Sequence, residues 1–234
     1  MSLPQTVLAS ASPRRRRLVS WLGIPIATTA VDTPEDLSAP LAPEPLAASL
    51  AAEKAMAARE QTGSHALILA FDTIVVADGE VLGKPVDADD ARRMLRALAG
   101  RTHEVVTGVA IFGPGVEAPE TFSVTTPVAM RTLSDVEIDA WIERGEALGC
   151  AGAYNIEHHL ASVADDQCFQ NVAGLPLCHV YAELAGGSTE DVPDGLTAPV
   201  NACDRTLGRR CLLGPRVCGT GTGGGPGADD ARGA

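Results

Sequence analysis

The sequence predicts an α/β fold, and three observations carry that prediction. Short β-branched or apolar runs alternate with helix-like runs along most of the chain. Several helix-like runs open on recognisable caps: Ser12-Pro13, Asp87 and Ser134-x-x-Glu137. An apolar fraction of 45% over 234 residues suffices for one substantial domain, although aromatics at 3% leave the packing to Ala, Val and Leu.

A first strand at residues 7–9 leads through small polar residues to Ser12, which can cap a helix with Pro13 at its first position, where a missing N–H costs nothing. Gly23 is the expected stop. Arg14, Arg15, Arg16 and Arg17 fill the first turn, against the positive end of the helix dipole, at a cost of a few tenths to ~1 kcal/mol each. Such a run is either a solvated basic face or an anion site, where guanidinium forks and free N–H groups converge on phosphate. Residues 24–31 read as a second strand and residues 32–45 as a polar, proline-rich loop carrying Glu35. The alanine-rich residues 46–60 read as a helix with Lys54 inside it. Residues 67–71 and 74–76 are the most β-prone of the chain, interrupted by Asp72-Thr73, and Asp78-Gly79 marks a tight turn into residues 80–82.

Gly83-Lys84-Pro85 leads to a helix capped by Asp87, with Ala91, Met94, Leu95 and Leu98 on one face and Gly100 at its end. Residues 105–111 and 122–130 read as strands, and the helix after Ser134 carries Ile138, Trp141 and Ile142. Residues 150–156 read as loop or strand, and residues 171–184 enter a final helix through Gly174-Leu175-Pro176. From Gly186 onward Gly, Pro, Asp and Thr dominate. Residues 1–186 are therefore expected to form one domain and residues 187–234 a flexible, cysteine-bearing tail, disordered at 219–234.

A net charge of −12 opposes general nucleic-acid binding, because a duplex would be repelled. No apolar run approaches the ~20 residues that span a bilayer, and the N-terminus lacks an export-signal pattern. The expectation is a cytoplasmic protein with neither nucleic acid nor membrane as partner. Cys150, Cys168, Cys178, Cys203, Cys211 and Cys218 all fall late in the chain, as free thiols or as a metal site. The spacing of Cys203, Cys211 and Cys218 lacks the CxxC hooks of a zinc site. A P-loop, a GxGxxG with its acidic residue and an HExxH are all absent, which removes support for kinase, dehydrogenase and zinc-protease readings.

Asp72 is the sharpest single residue. A carboxylate inside an apolar strand run needs either a solvent-facing strand end or a strong partner such as a cation or metal. Lys54 and Lys84 are the only lysines. Lys84, between Gly83 and Pro85, either offers an ammonium to a phosphate or stands in solvent. His103 and Glu104 fit capping of a strand, and the adjacent His158-His159 would face opposite ways on one, which argues against a shared metal.

Together these residues resemble the Maf family of nucleotide pyrophosphatases, over roughly residues 7–184. The resemblance rests on LASASPRR (8–15), AAEKA (51–55), FDTIVVADGEVLGKP (71–85), ARRMLRALAGRTHEVVTGV (91–109), AGAY (151–154) and NVAGLPL (171–177), in order and at family-like spacing. It implies a mixed, twisted sheet flanked by helices with a central nucleotide cleft, as in ITPase-like domains. It also implies Mg²⁺- or Mn²⁺-dependent hydrolysis of a nucleoside triphosphate to monophosphate and pyrophosphate, by a homodimer that clears the nucleotide pool. Ser10, Arg14 and Arg15 would hold the triphosphate, and Lys54 and Lys84 would neutralise phosphate charge. Asp72 would activate water or hold the metal, with Glu35 as the second carboxylate. Arg16 and Arg17 would remain solvated surface.

Thr73 resembles the dTTP/UTP branch, which the reading favours. That branch commonly has Gly-Ile-Gln-Gly after AGxY, whereas this chain has Asn155-Ile156-Glu157-His158, and Glu157 is similar to the branch acting on 7-methyl-GTP. Thr73 and Glu157 are thus the expected substrate-selecting positions. The alternatives are the same chemistry on 7-methyl-GTP or another modified nucleotide, or a catalytically weakened regulator of cell division. A metal-binding module built on the tail cysteines could accompany either.

Overall fold

The computed structural model describes residues 2–187 and 191–219. Among these, seven strands form one mixed sheet: β1 (Thr6–Ala9), β2 (Ile26–Thr29), β3 (Leu67–Ala77), β4 (Glu80–Leu82), β5 (Thr102–Phe112), β6 (Glu120–Met130) and β7 (Ala161–Ser162). The order is β2-β1-β3-β5-β6-β7, with β4 also paired to β3. β1 runs parallel to β2 and β3, and the remaining pairs are antiparallel. The helices are α1 (Pro13–Val19), α2 (Pro43–Thr62), α3 (Ala88–Leu98), α4 (Asp135–Glu143), α5 (Phe169–Val172), α6 (Leu177–Leu184), α7 (Val200–Leu207) and α8 (Gly214–Val217).

Period-two alternation splits β3 between two cores. Ile68 and Ala70 pack with Ala51, Ala55 and Ala58 of α2, and Ile74 and Val76 with Leu46, Ala47 and Leu50. Leu69, Phe71 and Val75 join the opposite core, with Leu18, Leu95, Leu98 and Val180. Small side chains let α2 lie close to the sheet. A Cβ on Gly108 of β5 would sit 1.9 Å from the Ala47 carbonyl oxygen, so no larger residue fits there. Gly108 is the cross-strand neighbour of Asp72. The close approach therefore brings Lys54, about two turns further along α2, over that carboxylate.

Several boundaries differ from the sequence reading. β3 runs unbroken through Asp72-Thr73, because both backbones stay in the ladder with β5 and their side chains find partners. α2 begins at Pro43, since Pro43 and Pro45 fall in a first turn whose N–H groups need no helical acceptor. β2 covers only Ile26–Thr29, residues 150–156 form short 3₁₀ turns, and Gly174-Leu175-Pro176 divides the expected last helix into α5 and α6. α1 ends as predicted, through a 3₁₀ turn into Gly23 at φ 75.

Residues 191–219, expected as part of a flexible tail, carry α7 and α8 on the body of the fold. Leu196, Cys203 and Cys218 are buried, and the Thr197 N–H donates to the Leu22 carbonyl at 2.8 Å. The Gly, Pro and Asp residues that interrupt this stretch hid its apolar anchors, which pin it onto a core that already exists. The expectation of disorder beyond Gly219 lies outside the described residues. All six cysteines are free thiols.

Candidate active site

A cleft of about 600 Å³ opens between α1, the two faces of mid-β3 and the turns around residues 145–155. Asp72 and Thr73 are consecutive, so the strand aims them at opposite sides of this cleft. Asp72 faces α2, where Lys54 Nζ donates to its Oδ1. The same ammonium donates to Glu35 Oε1 at 2.7 Å, and Lys84 Nζ reaches that oxygen at 2.8 Å. Alternating charges thus run Asp72–Lys54–Glu35–Lys84 along one wall. Asp72 and Lys54 are buried, Glu35 partly so, and the Lys84 side chain is half exposed. Burial raises the Glu35 pKa, but hydrogen bonds from Lys54 and Lys84 outweigh it and hold the carboxyl at about 2.

Thr73 faces α1. Its hydroxyl accepts from Arg15 at 2.9 Å and contacts the Thr107 hydroxyl at 3.0 Å. Arg15 also donates to the carbonyls of Phe71 and Gly174, both at 2.8 Å. Burial pushes its guanidinium below the ordinary value, with Asp72 opposing. Most of Arg15's donors are therefore spent on protein atoms, and its charge, not its fork, faces the cleft. Arg14 reaches the Cys150 thiol at the cleft edge. The two arginines thus have different surroundings, a division the sequence did not reveal. Ser12 caps α1 by accepting from the Arg15 N–H, and buried Ser10 accepts from the Ser12 N–H at 3.2 Å.

The loop facing α1 is anchored from behind. The Asn171 side-chain amide donates to the carbonyls of Val105 and Val124 at 3.1 and 2.9 Å, and the Thr107 hydroxyl donates to the Asn171 carbonyl at 3.1 Å. These bonds fix the backbone at Gly174, which in turn fixes Arg15.

Ser10, Arg14, Arg15, Glu35, Lys54, Asp72, Thr73 and Lys84 all line the cleft. Glu157 does not. It forms an ion pair with Arg17, so Arg17 has a partner and is not simply solvated. Glu146, Tyr154 and Asn155 line the cleft as well, although no site role was expected of them. Tyr154 lies in the AGAY motif and bonds His103 at 2.8 Å. Asn155 follows it, where the dTTP/UTP branch commonly has Gly, and its amide donates at 3.4 Å to Glu146, for which the sequence held no signal.

Among the described residues no group of three or more His, Cys, Asp or Glu side chains is arranged to hold a metal, at the tail cysteines or elsewhere. Asp72 and Glu35 supply two carboxylates facing one cleft. Two carboxylates fit a hard cation such as Mg²⁺, which takes one or two protein oxygens and completes its shell with phosphate and water.

The Maf-like protein family model matches residues 5–186. The chain belongs to the Maf-like protein family. A Maf relative from Syntrophomonas wolfei subsp. wolfei, named dTTP/UTP pyrophosphatase, is 45% identical over 185 residues, covering 78% of this chain and 97% of the relative. Another of the same name from Geobacter sulfurreducens is 41% identical over 186 residues, covering 79% and 97%. Among solved structures, the Staphylococcus aureus Ham1 protein aligns with 54% of this chain and 71% of its own, at a TM-score of 0.39 and 14% identity. The Maf match closes near the end of α6, so α7 and α8 lie outside it.

Proposed function

We propose that this chain is a nucleoside triphosphate pyrophosphatase, acting foremost on dTTP and UTP, that cleaves between the α and β phosphates and releases pyrophosphate. The observation that carries this reading is the alternating array Asp72–Lys54–Glu35–Lys84 on the wall of the cleft, which Arg14 and Ser10 also line. The names of the Maf relatives support the substrate class.

In this mechanism Asp72 takes a proton from the attacking water while its Oδ1 is held by Lys54. The oxygen of that water forms a bond to the α phosphorus, and the bond to the bridging oxygen breaks. Lys54, buried, and Lys84, half exposed, meet the negative charge that builds on the phosphate oxygens. Arg14 and Ser10 bind the departing phosphates, and Arg15 positions the strand and the Gly174 loop. Asp72 and Glu35 would hold the divalent cation, Mg²⁺ or Mn²⁺, whose contribution is to neutralise phosphate charge. Engagement of Glu157 by Arg17 outside the cleft supports dTTP and UTP over 7-methyl-GTP, with Thr73 as the selecting residue inside it. The domain is taken as residues 1–186, with 191–219 an addition packed upon it. A cytoplasmic homodimer completes the reading and is carried by the family likeness alone.

The test is a panel of dTTP, UTP, dATP, dGTP, dCTP and 7-methyl-GTP with Mg²⁺ or Mn²⁺, scored for pyrophosphate. Release chiefly from dTTP and UTP is expected. Inorganic phosphate as the first product would move the cut to the β–γ bond, and no turnover of any triphosphate would leave only a nucleotide binder.

A further inference from the structure

Five of the six cysteines stand far from the reacting groups, around α6, α7 and α8. Cys203 lies in α7, and Cys211 lies in the turn between α7 and α8. Their thiols are hydrogen-bonded to one another. The two sulfurs sit in unlike surroundings. Cys203 is buried, and its sulfur accepts from the side chain of buried Gln170 at 3.6 Å. Cys211 is partly exposed, its sulfur accepts the Gly214 N–H at 3.3 Å, and its own N–H is pinned to Asp204 at 2.8 Å. One sulfur is accessible and held by donors, and the other waits behind it within contact.

We propose that Cys203 and Cys211 are a reversible disulfide site, in which Cys211 meets the oxidant and Cys203 closes the bond. The Cys203 thiol and the backbone N–H groups of Gly214 and Leu213 pull the Cys211 pKa down, which favours the nucleophilic thiolate. The oxidant is a hydroperoxide. The Cys211 thiolate attacks its O–O bond, an S–O bond forms, and water or an alcohol leaves after taking up a proton. Cys203 sulfur then attacks the sulfenic Cys211 sulfur, the S–O bond breaks, and hydroxide departs with the Cys203 proton as water. Two electrons pass from the two thiols to the peroxide. The new bond ties α7 to the entry of α8 and keeps Cys203 against Gln170, which lies four residues before Gly174.

A competing pair serves as an internal control. Cys178 and Cys218 also share a thiol hydrogen bond, but both are buried, so neither offers the partly exposed sulfur that Cys211 does. No three-ligand metal group is formed by any of these cysteines among the described residues.

The full-length protein is treated with hydrogen peroxide, alkylated in denaturant and digested with trypsin, which cuts after Arg205, Arg209 and Arg210 and so separates the two cysteines unless a disulfide joins them. The expected result is a linked peptide pair through Cys203 and Cys211, a loss of two of the six titratable thiols, and full reversal by dithiothreitol. Cys203→Ser should instead leave a dimedone adduct on Cys211, and iodoacetamide should label Cys211 at least tenfold faster than Cys178 or Cys203 in the untreated protein. A link between Cys178 and Cys218 would overturn the proposal. So would an unchanged thiol count, retention of the two-thiol loss in Cys211→Ser, or stoichiometric zinc in the untreated chain.

Discussion

The Lys54 ammonium donates to Asp72 Oδ1 and, from the same nitrogen, to Glu35 Oε1 at 2.7 Å. One buried cation therefore holds two carboxylates that would otherwise repel each other. Lys54→Met leaves both without their shared partner. The expected outcome is a stability loss of about 3 kcal/mol in urea unfolding and a fall in turnover of about 10²–10³. Unchanged stability would mean that water, not Lys54, satisfies those oxygens.

Gly108 sets how closely α2 approaches the sheet. An alanine there would place its Cβ 1.9 Å from the Ala47 carbonyl oxygen and 2.5 Å from the Ala48 nitrogen, both backbone atoms with no rotamer to yield. Gly108→Ala should cost about 1–3 kcal/mol and lift Lys54 away from Asp72, so that rate and stability fall together. Thermal unfolding beside a pyrophosphate assay checks both, and loss of stability with full activity would uncouple the helix from the site.

Arg14 and Arg15 should part under mutation. Arg15→Gln strips donors from the carbonyls of Phe71 and Gly174 and should destabilise by about 1–3 kcal/mol. Arg14→Gln should leave unfolding within about 0.5 kcal/mol of wild type, as surface changes generally do, while raising KM for the triphosphate. Equal stability losses in the two variants would contradict the assigned division.

Acid should remove stability through Glu35. Its folded pKa, about 2, lies below its ordinary value of 4.5, so the folded state binds this proton less readily than the unfolded chain. The contribution is complete above pH 4.5 and is lost as pH falls toward 2, on the order of 2–3 kcal/mol after screening. Urea unfolding across that window should show a shallower loss in Glu35→Gln than in wild type. Parallel curves would place the titrating group elsewhere.

What the sequence could reveal follows from how local each cause is. Asp72 stood out because a carboxylate in a β-branched run needs a partner, and the caps at Ser12, Asp87 and Ser134 are spelled within four residues. The continuity of β3 was not legible, because it depends on Lys54 and on the ladder to Gly108, both distant in sequence. Gly108 itself reads as a weak strand residue until α2 is laid across it. Arg15's engagement with Gly174 joins positions 159 residues apart, so an arginine run could suggest phosphate binding without showing which member is already occupied. Glu157 was assigned by motif position alone, and its side chain turns to Arg17 instead. Residues 191–219 looked like a tail because their anchors, Leu196, Cys203 and Cys218 with Val192, Val200 and Val217, are separated by Gly, Pro and charged residues.

The proposed mechanism turns on Asp72 activating the water that cleaves the triphosphate. The most direct measurement is pyrophosphate release from dTTP by wild type and Asp72→Asn, with saturating Mg²⁺ and with nucleotide binding measured in parallel. Asp72→Asn is expected still to bind dTTP and to lose turnover by about 10²–10⁴, the range that general-base catalysis contributes. An Asp72→Asn enzyme releasing pyrophosphate at the wild-type rate would contradict it.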